Sequence, residues 1–303
     1  MLEAAHQFDP GEGLTVPAAP GGHGGAVRDV DLERARGAGR IVLTGIAGDT
    51  RVAEVYQRFP IALMLPEIAD ASSKEVVIVN ASGGIAGGDR LDIEIVAREE
   101  AAVVVTNQAA EKVYRALDQP ARIITRLKVC ETARLAWLPQ ETIVFNGARS
   151  LRQMDIEIHS GAELIALEWL ILGRTACGED ILGGHIADGW RIKKDGRLIW
   201  ADGFRLTDDV FGQLHRAALL SDYKAVGTLV YFGPGLDARL GSLRDIAPSL
   251  ECQCAATIVG AIIIVRVAAT DGARLRRGLR SLLEQFGEEL GAGPFGVPRM
   301  WSC

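Results

Sequence analysis

From Arg90 to Trp200 the chain is a close succession of short strand-like segments with few intervals long enough for a helix. The segments are Arg90 to Val96, Ala102 to Thr106, Arg122 to Val129, Ala133 to Trp137, Ile143 to Phe145, Arg152 to Ile158, Glu163 to Leu172 and Ile186 to Trp200. In the first, Leu91, Ile93 and Ile95 alternate with Asp92, Glu94 and Val96, the period of a strand with one buried face. The last breaks at Lys194-Asp-Gly-Arg197, and Asp-Gly between alternating runs signals a hairpin. Shorter candidates precede them at Ile41 to Leu43, Arg51 to Tyr56, Ile61 to Leu65 and Glu75 to Val79. So many strands with few intervals for helices favour stacked layers of short strands over a βαβ arrangement and predict a mainly β protein.

Between two of these strands lies Asn80-Ala-Ser-Gly-Gly-Ile-Ala-Gly-Gly-Asp-Arg90. A phosphate-binding loop hands its ligand to the N-terminus of a following helix, and here a strand follows. Gly83, Gly84, Gly87 and Gly88 also give neither G-x-G-x-x-G nor a loop closed by Gly-Lys-Ser/Thr. The expectation is a tight turn whose glycines supply positive φ.

Residues 1 to 38 are rich in Gly, Pro and Ala and lack periodicity, which predicts a flexible tail ahead of a single domain over 39 to 303. Helical patterning is confined to the last third of the chain. Asp208 to Leu220 places Val210, Leu214, Ala217 and Ala218 on one face. Asp271 to Phe286 aligns Leu275, Leu279, Leu282, Leu283 and Phe286, with Asp271 as N-cap. Arg274, Arg276, Arg277 and Arg280 form a basic strip on that second helix, expected to be a solvated face or a docking surface.

With 48% hydrophobic residues in 303, the chain can bury a large core. A net charge of −6 argues against a nucleic-acid partner. No apolar run reaches the roughly 18 residues a membrane helix needs, and the start has no secretory pattern. Five scattered cysteines do not make a disulfide framework, so a reducing cytoplasm is expected.

Patterns for catalysis are sparse. There is no G-x-S-x-G elbow, and the five histidines show no zinc spacing. Cys252-Gln-Cys254 could offer two thiolates to a soft metal from one strand face, or be two packed thiols. Asp89, Glu141, Glu168, Glu179 and Asp180 stand in otherwise apolar β segments. Buried carboxylates need a partner or a cation. Asp89 would pair with Arg90 or cap its turn, and Glu168 would pair with a residue such as Arg174; alternatively the acids face a common wet cavity.

Four ordered motifs give the chain a family resemblance. They are Gly83-Gly-Ile-Ala-Gly-Gly-Asp-Arg90, Thr106-Asn-Gln-Ala-Ala-Glu-Lys-Val-Tyr-Arg115, Trp137-Leu-Pro-Gln-Glu-Thr-Ile-Val-Phe-Asn-Gly-Ala148 and Leu172-Gly-Arg-Thr-Ala-Cys-Gly-Glu179. Trp190-Arg191, Asp202, Arg205-Leu206 and Pro298-Arg-Met-Trp301 extend the match over about residues 40 to 303. In these the chain resembles the UreD family of urease accessory proteins. The resemblance implies a β-helix-like stack and a non-enzymatic chaperone. Such a protein acts with UreF and the GTPase UreG on the urease apoprotein, in a complex that can be paired through UreF. It also implies an internal channel for Ni²⁺ with no tightly bound cofactor, and makes the five carboxylates candidate channel-lining residues. Asn146 stands where members often carry Asp, so a charge there is dispensable. The Cys252 and Cys254 pair matches no family motif. A β-rich hydrolase and a plain interaction module are the competing readings.

Overall fold

The computed structural model describes residues 34–67, 73–174, 178–291 and 293–302. The chain opens with β1 (Arg36–Ile46), β2 (Asp49–Arg58), β3 (Ile61–Met64) and β4 (Lys74–Asn80). It then coils through β5 (Arg90–Ala97), β6 (Ala102–Asn107) and β7 (Glu111–Val113), and again through β8 (Ala121–Val129), β9 (Arg134–Trp137) and β10 (Thr142–Val144). Next come β11 (Arg149–Ile158), β12 (Glu163–Leu172) and the hairpin of β13 (His185–Lys194) and β14 (Arg197–Leu206). The C-terminal third holds α1 (Asp208–Phe211), β15 (Ala225–Phe232), α2 (Leu236–Ile246), β16 (Gln253–Val259), β17 (Ile262–Ala269) and α3 (Gly272–Glu289).

These strands stack into two facing sheets. One has the order β14-β13-β11-β8-β5-β1-β2, the other β16-β17-β15-β12-β9-β6-β4-β3. Within the coils, pairing is parallel: β5 lies on β8, β8 on β11, β6 on β9 and β9 on β12. The result is a β-solenoid-like stack of about four turns, the mainly β architecture expected from the strand succession.

Period-two alternation decides what fills it. In β11, Met154, Ile156 and Ile158 point between the sheets, as do Leu164, Ala166, Leu170 and Leu172 of β12. The odd positions of β12, Ile165, Leu167 and Trp169, face the other way and pack with Leu275, Leu279, Leu282, Leu283 and Phe286 of α3. Because both its faces are buried, β12 reads as an almost unbroken apolar run. On the first sheet the outward face is charged instead, with Arg40 to Glu94 at 2.8 Å and Arg90 to Asp92 at 3.1 Å.

Several expectations are met and several need correction. At the β13 to β14 turn, Asp195 and Gly196 have φ of 49° and 79°, the left-handed pair that a tight two-residue hairpin requires. Asp271 caps α3, its Oδ1 accepting from the Arg274 N–H at 2.9 Å. Ladder pairing begins at Arg36, inside the segment 1–38 expected to be tail, because β5 gives Arg36 and Gly37 parallel partners in Arg90 and Leu91. Residues 1–33, also expected to be tail, lie outside the described residues. The helix expected over 208 to 220 stops after one turn, at Gly212, and Ala217 and Ala218 are exposed rather than buried. Helix α2 carried no legible stripe, since it buries only Leu243 and Ile246.

Candidate functional site

The described parts of the four sequence motifs stack one above another where β7 and β10 join the second sheet. Ile85 bridges to Val113, Val113 pairs with Val144 in the β7 to β10 ladder, and Val144 pairs with Leu172 where β12 turns the corner. These four side chains form a buried column, each at most 3% exposed. Outside it runs a second stack. Gly84 underlies the Tyr114 ring, Tyr114 meets Phe145 edge to face at 5.2 Å, and the Arg174 guanidinium sits 4.5 Å over Phe145. Arg174 in turn is paired with Glu179 at 3.0 Å. The Gly-rich loop is therefore the first rung of this corner: its Ile85 N–H donates to the Lys112 carbonyl at 2.7 Å.

The glycines have distinct tasks. Gly83, Gly84 and Gly88 adopt φ of 74°, 152° and 85°, and a Cβ on Gly87 would lie 2.5 Å from that of Ala116 on the next rung. Asp89 closes the loop from within, accepting from the Ala86 N–H at 2.7 Å and the Ala35 N–H at 2.9 Å. Its neighbour Arg90 pairs with Asp92 instead. Asn146 Oδ1 accepts from the N–H groups of Leu182 and Gly183 at 2.9 and 3.2 Å. An amide and a carboxylate serve equally as that acceptor, so Asn suffices where relatives were expected to carry Asp.

Inside the coil the alternation that buries aliphatic residues also buries charge. Arg152 of β11, Glu168 of β12 and Asp188 of β13 share the parity of their inward-facing neighbours. Arg152 and Asp188 are direct partners in the parallel ladder. The Arg152 guanidinium bonds the Glu168 carboxylate and lies 3.5 Å from Asp188, while Trp137 Nε1 donates to Glu168 at 2.8 Å. Burial raises the Asp188 carboxyl from 3.8 to about 6 against the pull of Arg152, and Glu168 and Asp202 add to the rise. Glu111, held by the Asn80 amide at 3.0 Å, is likewise raised by burial. The two flanking carboxylates in turn raise Arg152 above its already high value despite burial.

Two cavities adjoin this cluster. A small one of about 60 Å³ is lined by Asn80, Glu111, Thr142, Arg152 and Glu168 among others. A larger one of about 410 Å³ is lined by Glu168, Asp188, Trp190, Asp202, Thr228 and Arg266 among others. Glu168 belongs to both walls.

Of the five carboxylates expected to share a passage, only Glu168 faces these cavities, and its partner is Arg152 rather than Arg174. Glu141 pairs with Arg276 of α3 at 2.6 Å, Glu179 with Arg174, and the exposed Asp180 with Lys224 at 3.0 Å. The basic strip of α3 is similarly spoken for. Arg276 is half-buried against Glu141 and Gln140, and Arg277 and Arg280 pair with Glu251 and Glu284. Asp188 and Arg152 were missed, although the row Ile186, Asp188, Trp190, Ile192 marks Asp188 as inward once β13 is recognised. Cys252 precedes β16 and is buried against Gly278 of α3, and burial lifts its thiol to about 11, with Cys254 adding to the rise. Burial raises Cys254 as well, and among the described residues no third His, Cys, Asp or Glu joins the pair. Cys177 lies outside the described residues.

Comparison with known proteins bears on the same region. The family model described as UreD urease accessory protein matches residues 35–302. A urease accessory protein UreD of Rhizobium leguminosarum bv. trifolii is 38% identical over 270 residues, 89% of this chain and 96% of that protein. Those of Methylobacterium sp. and Mesorhizobium japonicum are 37% and 36% identical over 88% and 89% of the chain, and 95% of each relative. The match takes in all four stacked motifs and the interior they enclose, and the chain belongs to the UreD urease accessory protein family.

Proposed function

We propose that this protein acts in urease maturation as a scaffold that joins the urease apoprotein to UreF and UreG, and that its interior passes Ni²⁺ toward the urease active site. The observation that carries the second half is Glu168, a buried carboxylate common to the walls of two cavities. Glu111, Glu168 and Asp188 place three carboxyl groups around one guanidinium, so a cation is attracted inward. Carboxylate and amide oxygens hold a divalent ion of borderline softness weakly enough to release it, which transfer requires. Arg152 is then a tethered stand-in: its guanidinium occupies the carboxylates at rest and yields to the ion in transit. The same clamp speaks against a hydrolase, since Glu168 and Asp188 both face an arginine rather than a nucleophile or its proton.

The reading is tested by Glu168→Gln and Asp188→Asn in cells carrying the urease operon. Nickel content and activity of urease should fall several-fold while UreF and apo-urease still co-purify with the variant. Full nickel loading in both variants would overturn the passage, and failure to co-purify even with the unaltered chain would overturn the scaffold.

A further inference from the structure

The larger cavity opens where the two sheets part. β14 ends the first sheet, β15 and β17 belong to the second, and among the described residues no ladder joins them. Besides apolar packing, an ion pair spans the gap. Arg266 of β17 donates from Nη2 to Asp202 of β14 at 2.5 Å, and from Nη1 to the hydroxyl of Thr228, its ladder partner on β15. Thr228 thereby aims the guanidinium across the opening. Arg266, Asp202 and Thr228 all line the cavity, with Asp188 and Glu168 on the same wall set. The side chains of Arg266 and Asp202 are 49% and 29% exposed, so the pair meets solvent, unlike the Arg152 cluster at 8 to 12%.

We propose that the Arg266 to Asp202 ion pair is a latch across the mouth of this cavity, which opens by a rotamer change and admits small cations to Asp202. This rests on the reading of the interior as a cation passage for its purpose, though not for its existence. An exposed ion pair contributes little net stability and is screened by salt, so it opens readily and its loss leaves the fold standing. When Arg266 swings out, Asp202 gains a free carboxylate at the cavity rim, beside Trp190 in the β13 to β14 ladder. An entering divalent cation therefore replaces a guanidinium twice: at Asp202, then at the pair held by Arg152.

The test needs no nickel. Val226 lines the same cavity, and Val226→Cys gives a reporter thiol whose reaction with a small methanethiosulfonate is followed residue by residue by mass spectrometry, with Cys130 as an outside control. Arg266→Ala and Asp202→Asn should each speed labelling of residue 226 by about fivefold, the size expected for an exposed pair. The two effects should not multiply in the double variant. Salt at about 1 M should speed the parent and leave the variants unchanged, because it screens only a pair that exists. The swap Arg266→Asp with Asp202→Arg should restore slow labelling. Equal labelling in parent and variants, with Cys130 also unchanged, would overturn the latch. If labelling responds but Glu168→Gln and Asp188→Asn both still load urease fully, the latch stands and the nickel passage falls.

Discussion

Tyr114 lies against Gly84 so closely that a Cβ on Gly84 would come within 2.5 Å of its ring, and the Tyr114 hydroxyl donates to the Gly83 carbonyl at 2.8 Å. Adjacent glycines of one turn are therefore needed for different reasons. Gly84→Ala meets both the ring and a φ of 152°, and should cost about 2 to 4 kcal/mol from the sum of overpacking and backbone strain. Gly83→Ala has open space around it and a φ of 74°, so about 1 kcal/mol of left-handed strain is expected. Denaturant unfolding of the two variants checks this, and equal losses would refute the close approach.

The Arg152 cluster should be sensitive to which partner is removed. Arg152→Met leaves Glu168 and Asp188 buried without a counter-charge and should cost about 3 to 5 kcal/mol. Adding Glu168→Gln and Asp188→Asn to it removes the stranded charges and should recover most of the loss, because a neutral interior of similar volume has no ion to desolvate. A triple variant no more stable than Arg152→Met would show that packing, rather than charge, sets the loss.

How far this was readable in advance follows from the range of each signal. Local alternation exposed the strands, as in Leu91, Ile93 and Ile95, and the Asp195-Gly196 turn was legible because its chemistry is confined to two residues. The stacking of Ile85, Val113, Val144 and Leu172 was not, since neighbours in the column lie 28 to 31 positions apart and each is an ordinary aliphatic residue. Charged partners were hardest: Glu168 was singled out by its apolar surroundings, but the choice of Arg152 over Arg174 depends on parity across two strands. Glu141 looked like a channel acid for the same reason, because nothing nearby in sequence announces Arg276 of α3.

Asp188 carries a pH signature opposite to that of an ordinary salt-bridged aspartate. Its carboxyl is raised from 3.8 to about 6, mainly by burial, so the folded chain holds this proton more tightly than the unfolded chain. Between those values the unfolded state sheds the proton first, and this group's contribution to stability falls as pH rises from about 4 to about 6. Asp188→Asn should therefore flatten the fall in that window, measured as unfolding free energy against pH. A slope unaltered by the substitution would place the raised titration elsewhere.

Gly278, in the middle of α3, tests the packing that buries the cysteines. Replacing an interior helical glycine by alanine ordinarily gains about 1 kcal/mol. Here the new Cβ would lie 2.4 Å from Cys252 Sγ and 3.1 Å from its Cβ, so overpacking of about 1 to 3 kcal/mol should reverse the sign. Cys252→Ala removes the sulfur and leaves only the 3.1 Å Cβ contact, so Gly278→Ala made in that background should lose less than in the parent and come close to neutral. Thermal unfolding of the four proteins of this double-mutant cycle yields the coupling directly. Equal effects of Gly278→Ala in both backgrounds would mean that the helix shifts away from β16 instead of pressing on the thiol.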